Sequence, residues 1–444
     1  MPTEIIMKKR VLMIASFLIW LGILGSPARG NGLNLNSLGT RALSMGGAFV
    51  GLADDFSAVF WNPAGAAGFR TERLGFFGTD LMPKGSYRLD APAGSGAGTL
   101  VDARSKISHY LGGMLAYYRP VSDNLVLGIG VYTPSGGGSD WTATDFTAIA
   151  GGKAYEWSNT VGILSVSPLA AWKISEKIWI GATLNINHGT FSLNMPAGKI
   201  EIPVDPYVFD LGQYEETMGG WGLGATLGFM VKPSEQVSFG LTFRTPSTIR
   251  FKGDAQIPYM ALLGLSGASD LERSIKFPAW IAGGVAFRPT DRLLLTADIQ
   301  WTGWGTMDEM RTVFADAGWR DILRASGGDV RKMDWSDRIQ VRFGAEYSLN
   351  DAFALRAGYY HDPSPAPDTT MTVLIPSLTY EVLTAGVGWD YGGLRLDFGL
   401  EYLAGKGRTI DPAIAAADPA YVAAMPGRYK MRFIVPNLSV GFRF

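Results

Sequence analysis

The chain has 444 residues, a formal net charge of −1, 47% apolar residues and 57 glycines. A charge balance this close to neutral argues against a surface for nucleic acid, so we expect no nucleic-acid partner. The sequence contains no cysteine, which excludes disulfides and thiolate metal sites.

The first 30 residues have the three parts of a secretory signal peptide. A basic cluster, Lys8 to Arg10, precedes an apolar run from Val11 to Leu24, and small residues follow up to Gly30. The apolar run is shorter than the roughly 20 residues that a membrane-spanning helix needs. We therefore predict that residues 1–30 are an export signal, with cleavage after Ala28 or Gly30 both possible.

Residues 31–70 differ from the rest of the chain. They are rich in glycine, alanine and other small residues, and their apolar residues alternate only weakly. A segment of this kind does not read as a strand of a sheet. We predict that 31–70 is a separate small unit that precedes the strands.

From about residue 73 onward, apolar residues alternate with polar or small ones. In one segment Val237, Phe239, Leu241 and Phe243 are interleaved with glutamine, serine, glycine and threonine. A period of two places each set on one face of a strand, but the period alone does not say which face points inward. The predicted strands are 73–84, 107–119, 124–134, 159–173, 177–195, 219–232, 235–250, 273–288, 292–304, 336–349, 352–362, 378–390, 393–405 and 428–444.

Short turns and long loops separate these strands in strict alternation. The short turns lie at 119–123, 173–176, 232–235, 288–291, 348–351 and 390–393. Short turns at one end and long loops at the other are typical of a transmembrane β-barrel of the bacterial outer membrane. We predict an all-β fold in which residues 71–444 form a transmembrane antiparallel β-barrel of about 14 strands. The long loops are predicted at 85–106, 135–158, 196–218, 251–272, 305–335, 363–377 and 406–427.

The last strand carries a pattern that bears on assembly. Leu438, Val440, Phe442 and the terminal Phe444 share one face. A terminal phenylalanine after alternating apolar residues resembles the signal that barrel assembly machinery recognises. The alternative is an ordinary amphipathic terminal strand. We expect the assembly machinery as a partner through Phe444, and outer-membrane lipid around a monomer.

Several ordered motifs resemble the FadL/TodX family of outer-membrane transporters of hydrophobic compounds. The strongest is Trp61-Asn62-Pro63-Ala64-Gly65, which follows Gly46-Gly47-Ala48 and Ala53-Asp54-Asp55. Further motifs occur at 131–136, 166–171, 277–279 and 355–360. Each motif is weak alone, but their ordered combination covers essentially the whole chain after the signal peptide.

The resemblance implies a 14-stranded barrel plugged by an N-terminal hatch, here residues 31–70. It also implies passive, hatch-gated uptake of long-chain fatty acids or other hydrophobic compounds. We expect no cofactor, and no metal either, because the three histidines have no metal-ligand partner at short spacing. Ligand would leave sideways through the wall at a kink in the third strand. The hatch residues expected to matter are Asp54, Asp55, Asn62, Pro63 and Ala64.

The third predicted strand ends in a run that disfavours pairing. Proline cannot donate to a ladder and glycine weakens a strand. We therefore predict the lateral opening at this run, with the alternative that the proline merely ends the strand. The residues of the predicted opening are Pro134, Ser135, Gly136, Gly137 and Gly138.

Six residues are candidates for ligand contact. A carboxylate headgroup favours a cation, and Arg244, Arg342 and Arg356 occupy polar faces of predicted strands. The alternative is that these arginines form a charge ladder with Glu346, Asp298 and Asp397. The remaining candidates, in or beside outer loops where ligand could land, are Trp141, Phe146 and Met195.

Two other functions compete with transport of hydrophobic compounds. A general diffusion porin would have an open lumen, which the distinct 31–70 segment argues against. A barrel hydrolase would need a catalytic base at the rim, for which His188 and His361 are the plausible residues, without a catalytic motif around them. We expect no enzyme activity. The sequence does not decide between fatty acids, alkanes and aromatic hydrocarbons.

Overall fold

The computed structural model of the protein describes residues 33, 35–92, 94–201, 208–325, 327–416 and 424–444. The predicted signal peptide, residues 1–30, lies outside the described residues. Within the described ranges, the helices are all too short or too polar to cross a membrane.

Strands account for most of the described chain. In chain order they are β1 Arg73–Asp90, β2 Thr99–Arg104, β3 Tyr110–Pro120, β4 Leu125–Trp141, β5 Trp157–Lys173, β6 Ile178–Pro196, β7 Lys199–Glu201, β8 Val208–Asp210, β9 Gln213–Ser234, β10 Val237–Arg244, β11 Ser247–Gln256, β12 Ala268–Phe277, β13 Trp280–Thr290, β14 Leu293–Thr302, β15 Glu309–Phe314, β16 Val330–Lys332, β17 Arg338–Ser348, β18 Phe353–Asp362, β19 Tyr380–Tyr391, β20 Leu394–Gly405, β21 Arg408–Ile410 and β22 Gly427–Arg443.

The helices are short, and none of those described forms part of the barrel wall. They are α1 Thr40–Ser44, α2 Ala58–Trp61, α3 Ala317–Ala325 and α4 Pro412–Ala416, with 3-10 turns at Pro63–Gly68, Ala143–Phe146, Pro258–Leu263, Trp304–Thr306 and Asp368–Thr370.

Among the described strands, 14 close into an antiparallel barrel. Their order around the wall is β1, β3, β4, β5, β6, β9, β10, β13, β14, β17, β18, β19, β20 and β22. The barrel closes where β22 pairs with β1, from Arg73 opposite Arg443 to Arg88 opposite Arg428. The predicted fold class and strand number are confirmed.

The structure shows which face of each wall strand points into the barrel, which the period of two alone did not decide. In β10, Phe239 and Leu241 are each 50% exposed on the outer face, whereas Ser238 and Thr242 are buried inside. A soluble sandwich would place the apolar side inward. This wall is apolar outside, which suits contact with lipid.

The two ends of the barrel differ. The turn end carries the short turns, such as 174–177 between β5 and β6, and the loop end carries the long connections. At the loop end the sheet continues beyond the barrel, because β11 pairs with β12 and β12 pairs with β15. Most of the loop-end residues that the structure describes are ordered as strands or packed turns.

Several predicted strand boundaries are wrong, three of them at or near prolines. The third wall strand was predicted to end at Pro134, but β4 continues to Trp141 and pairs with β5 over that extension. The predicted strand 235–250 is broken at Thr245 and Pro246, and the predicted strand 273–288 is broken at Pro278 and Ala279. Proline lacks the N–H that a ladder needs, so each long segment divides into two strands.

The segment Leu35–Phe69, called the hatch below, fills the lumen near the turn end. Its side chains, including Leu38, Met45, Phe49 and Trp61, are almost fully buried and form one apolar cluster with the inner wall. The barrel is therefore plugged, as predicted. The boundaries predicted for the unit, 31 and 70, stay a prediction.

Glycines of the inner wall let the hatch backbone approach closely. A Cβ atom on Gly240 would stand 2.0 Å from the Val50 carbonyl oxygen, and one on Gly344 would stand 2.4 Å from the Met45 carbonyl oxygen. Real side chains do not fit into such spaces. The glycines of the inner wall therefore form the surface against which the hatch backbone packs.

We predict that Gly240→Ala loosens the plug. The added methyl group must displace the hatch backbone at Val50, so the ion conductance of the protein in planar bilayers should rise. Gly283→Ala is the matched control, because a Cβ there would meet only the Gly240 carbonyl oxygen, at 4.0 Å. Equal conductance of the two variants would contradict the prediction.

Candidate transport site

An arginine of the hatch joins the plug to the wall. Arg41, in α1, donates two hydrogen bonds to Glu346 of β17, each 2.7 Å long, and also pairs with Asp54. Glu346 accepts a further bond of 2.6 Å from Arg356, which pairs with Asp397 at 2.8 Å. Bidentate pairs between buried arginine and carboxylate fix orientation as well as position. The network therefore holds one side of the hatch against β17, β18 and β20.

Asn62 holds the other side of the hatch. Its amide nitrogen donates to the Val50 carbonyl at 3.0 Å and to the Phe229 carbonyl of β9 at 3.1 Å. Its side-chain oxygen accepts from the Ala64 N–H at 3.1 Å, as expected of an Asn-Pro turn. Pro63 is the first residue of the 3-10 turn that follows. One side chain thus connects two parts of the hatch and the wall.

The two hatch carboxylates have different electrostatic surroundings. Burial by itself raises the pKa of Asp54, but the neighbouring Arg41 and Arg288 outweigh burial and hold that pKa below its ordinary value. Burial raises the pKa of Asp55, whose carboxylate accepts hydrogen bonds from the backbone and hydroxyl of Ser57. Asp54 belongs to the ionic network, whereas Asp55 shapes the turn before α2.

The wall has a gap on one side of β4. The ladder between β3 and β4 ends at Met114 opposite Tyr132, and across the described stretch 105–141 pairing resumes only as a bridge between Ser105 and Trp141. On its other side β4 stays paired with β5 up to Trp141, apart from a bulge between Tyr132 and Ser135. We call the unpaired β4 edge, Pro134–Ser139, the wall gap.

The N-terminal end of the hatch binds at this gap. The Leu35 N–H donates to the Pro134 carbonyl at 3.0 Å, and the Ser135 hydroxyl donates to the Leu33 carbonyl. Asn36 continues the attachment across the lumen by donating to Asp362 of β18 at 2.8 Å. This end of the hatch therefore supplies a donor to the Pro134 carbonyl in the stretch where β3 does not pair with β4.

A cavity of about 160 Å³ lies between the hatch, the wall gap and the opposite wall. Most of its lining is apolar, which suits a hydrophobic guest. Among the described residues, its polar lining includes two carboxylates and no Lys, Arg or His. Its lining residues include Leu35, Leu43, Gly136, Gly137, Gly138, Leu374, Leu378, Leu403, Met431, Val435, Asp362 and Glu401. We call it the central cavity.

A loop that was predicted to face outward closes the top of the central cavity. Residues 363–379 fold into the barrel, so that Val373 and Leu374 are buried. Their carbonyl oxygens accept hydrogen bonds of 2.9 Å from the Trp141 indole and the Ser139 hydroxyl of β4. This inward loop binds to the same strand that carries the wall gap.

Two acidic residues of the cavity were missed by the sequence analysis. By sequence alone, His361-Asp362 before Pro363 suits a surface turn, but Asp362 is buried and accepts a bond of 2.6 Å from Gln340. Glu401 is buried and accepts from the Tyr360 hydroxyl. The period of two could have placed Asp362, because Arg356, Tyr360 and Asp362 share the inner face of β18.

Two smaller cavities contain arginine. One, of about 50 Å³, is lined by Arg244 together with Pro134 and Ser135 of the wall gap. The other, of about 60 Å³ at the loop end, is lined by Met195, Arg273 and Arg331. The structure thus places Arg244 and Met195 of the ligand candidates on cavity walls.

The other ligand candidates lie in packed surroundings. Arg342 donates to the Gly46 carbonyl of the hatch at 3.0 Å, and Arg356 belongs to the ionic network. Trp141 and Phe146 pack in the apolar cluster of the loop end, and neither has more than 1% of its surface exposed. Arg356 matches the alternative of a charge ladder. The roles proposed for these residues stay predictions.

The described residues contain no cluster of His, Asp and Glu arranged to hold a metal ion. The candidate bases for hydrolysis lie apart: His188 contacts the Trp221 ring, with centroids 4.6 Å apart, and His361 pairs with Glu381 at 3.0 Å.

A closed barrel, a plug and an apolar cavity beside a gap in the wall define a plugged transmembrane transport barrel.

The comparisons with known proteins give the family. Residues 23–444 match the family model described as "Outer membrane protein transport protein (OMPP1/FadL/TodX)". The chain belongs to this family, and it is an outer-membrane transporter of hydrophobic compounds.

Individual relatives are distant in sequence. Outer membrane protein P1 of Haemophilus influenzae is 22% identical over 82% of this chain and 84% of its own. The long-chain fatty acid transport protein of Salmonella typhi is 20% identical over 90% and 94%. The crystal structure of the Pseudomonas putida toluene transporter TodX is 17% identical, covers 93% of this chain and 100% of its own, and has a TM-score of 0.71.

We predict that Asn62→Leu loosens the hatch without unfolding the barrel. It leaves the carbonyls of Val50 and Phe229 without their donor, at about 1–3 kcal/mol for a buried unsatisfied group. Hydrogen exchange of the hatch amides should accelerate by about tenfold or more. Asn194→Leu is the control, since Asn194 donates to Ser158 within the wall. Hatch exchange that matches the control would refute the anchoring role.

Proposed function

We propose that the protein takes up hydrophobic small molecules across the outer membrane by passive diffusion, gated by the hatch, with lateral exit through the wall gap. The observation that carries the proposal is the position of the central cavity. Its walls include both the N-terminal end of the hatch and Gly136–Gly138 of the gap. A molecule in this cavity is separated from lipid by that stretch of β4 and the residues that cover it.

The energetics favour a sideways route for an apolar cargo. Each CH₂ group kept out of water is worth about 0.8 kcal/mol, so a path from cavity to bilayer avoids a large penalty in the aqueous periplasm. A cavity on the order of 150 Å³ holds a benzene-sized molecule. The central cavity, at about 160 Å³, therefore suits a monoaromatic compound or part of a longer chain.

The hatch attachment suggests how the gate works. The Leu35 N–H donates to the Pro134 carbonyl, the Leu33 carbonyl accepts from the Ser135 hydroxyl, and Asn36 ties the same segment to Asp362. Withdrawal of this short segment would open the cavity toward the gap while α1, held by Arg41, stays in place. The rest of the hatch would keep the lumen sealed during exit.

The remaining expectations belong to the same proposal. The protein acts as a monomeric channel rather than an enzyme, with outer-membrane lipid around its apolar wall. Phe444 is 68% exposed, which leaves it accessible to the barrel assembly machinery. The competing porin function needs a water-filled lumen, and the buried hatch cluster is the observation against it.

We predict that Gly136→Trp blocks exit. A Cβ on Gly136 would meet only the Val161 carbonyl oxygen, at 3.9 Å, so a large side chain can enter the gap without strain. Uptake of a labelled hydrophobic compound by cells should fall severalfold. Gly78→Trp is the control, because Gly78 is exposed on β1 and a Cβ there meets nothing within 4 Å. Unimpaired uptake by Gly136→Trp would place the exit elsewhere.

We also predict that Asn36→Ala opens the gate more often. It removes the bonds to Asp362 and Gln340 that hold the N-terminal segment of the hatch. Uptake and single-channel open time should both rise, whereas Asn124→Ala in an exposed turn should change neither. If Asn36→Ala behaves like Asn124→Ala, this segment is not the gate.

A further inference from the structure

A cluster of basic residues lies on the outer face of β1 and β22, near the loop end. The ladder between these two strands sets Lys84 directly opposite Arg432 and Arg88 directly opposite Arg428. Lys430 lies between the two pairs, and all five side chains are exposed. Because the side-chain period of a strand is two, the five share one face of the wall. We call these five residues the basic patch.

The basic patch stands directly above the apolar outer surface of the same strands. Phe76 of β1 and Leu438 of β22 lie on that face and are 46% and 43% exposed. Lys84 follows Phe76 by eight residues, which is about 26 Å along a strand. At a strand tilt of about 40° this is a height of about 20 Å, close to the apolar band of about 25 Å that faces lipid. The patch therefore lies at the level where lipid headgroups begin.

The upper pair of the patch has acidic neighbours. Arg88 pairs with Asp90 at 2.9 Å and lies 3.9 Å from Asp102, and Arg428 also pairs with Asp90. Like charges directly opposite each other destabilise a pair of strands. The shared carboxylate of Asp90 offsets that repulsion between Arg88 and Arg428.

The lower part of the patch lacks such a carboxylate. Among the described residues, no Asp or Glu oxygen lies within 4.0 Å of the charged nitrogens of Lys84, Lys430 or Arg432. The next acid along the wall, Glu381 of β19, is two strands away from β22 and accepts from the Tyr359 hydroxyl at 2.6 Å. An anion from outside the chain would offset the repulsion between Lys84 and Arg432.

Basic residues elsewhere at the loop end are arranged differently. On the exposed faces of β11 and β12, Lys252 lies directly opposite Glu272 and pairs with it at 2.5 Å. Arg250 lies opposite Ser274, and Asp254 follows on the same face. Charges of both signs alternate there, as is usual on a soluble surface. The run of like charges is thus a property of β1 and β22 and not of the whole loop end.

The position of the patch selects the kind of anion. The patch faces sideways from the wall, so its partner must lie beside the barrel and at headgroup level. Clusters of lysine and arginine next to a membrane attract anionic lipid, and both side chains bind phosphate well. Lipids of the outer leaflet carry phosphate on their headgroups. The acyl chains of such a lipid would lie along the apolar surface around Phe76 and Leu438.

We propose that the basic patch is a binding site for the phosphates of an outer-leaflet lipid, with Lys84, Lys430 and Arg432 as its principal contacts. The site lies outside the barrel, so the proposal goes beyond the proposed function and does not depend on it. It also goes beyond general contact with lipid, because it assigns one headgroup chemistry to one side of the wall.

Binding of lipid A to the full chain in detergent micelles, followed by native mass spectrometry, tests the proposal. The probes are diphosphorylated lipid A and its dephosphorylated form, which share their acyl chains. The wild type should bind the phosphorylated form more tightly. Joint substitution Lys84→Gln, Lys430→Gln and Arg432→Gln should weaken that binding by about tenfold or more and leave the dephosphorylated form unaffected.

The matched control removes the same charge from the other side of the loop end. Joint substitution Arg250→Gln, Lys252→Gln and Lys276→Gln changes three exposed residues of β11 and β12 and should leave lipid binding as in the wild type. Equal weakening by the two triple variants would show a general charge effect and overturn the site. Wild-type protein that does not distinguish the two forms of lipid A would overturn it as well.

A second variant keeps all the basic residues in place, in case the triple variant does not fold. Ser86→Asp puts a carboxylate directly opposite Lys430 and should weaken binding of the phosphorylated form severalfold. Ser274→Asp, opposite Arg250, is its control and should have no effect. Equal effects of these two variants would contradict the proposal. Inorganic phosphate at the same concentration should not displace the lipid, and displacement would overturn the assignment to a lipid.

Discussion

The contact between the hatch backbone and the inner wall is the constraint on which the rest of the structure depends. A plug seals a barrel only when few gaps remain, and here the wall glycines let the hatch carbonyls approach closer than any side chain permits. The bidentate pair of Arg41 and Glu346 then fixes the orientation of the hatch. Because the hatch backbone packs closely against the wall glycines and the Arg41–Glu346 pair is buried, most of the hatch is held firmly. Any movement for transport is most easily confined to its N-terminal end.

In the proposed function, that N-terminal end links the gate to the exit. Leu35 hydrogen-bonds to Pro134 in the stretch where β4 has no ladder partner on the β3 side, so the hatch takes the place of a strand at the wall gap. A single local event, the release of a few hydrogen bonds, would expose the gap and open the central cavity. The inward loop binds the same part of β4 through the carbonyls of Val373 and Leu374, so the loop end of the cavity and the wall gap meet at one strand.

The sequence predicted correctly those features that depend on neighbouring residues, such as the wall strands. It failed for residues whose contacts lie far away in the chain. The period of two placed all wall strands, because each strand records its own two faces. Pro246 and Pro278 broke strands that the pattern had joined, since one missing N–H outweighs a favourable apolar pattern. Asp362 was missed as a cavity residue because its partners, Asn36 and Gln340, are far away in sequence. Trp141 was expected beside an open groove, but the inward loop covers it.

The sequence by itself therefore determined the class of fold, the number of wall strands, the presence of a distinct N-terminal unit and the family that its motifs resemble. These features depend on periodicity, composition and turn chemistry, which are properties of neighbouring residues. Only the tertiary structure decided which arginines pair with carboxylates, which of them line cavities, and where the loops fold inward. It also decided that the wall gap lies on one side of β4 alone. Those features depend on which strands become neighbours when the barrel closes, and no local pattern encodes the distances that closure creates.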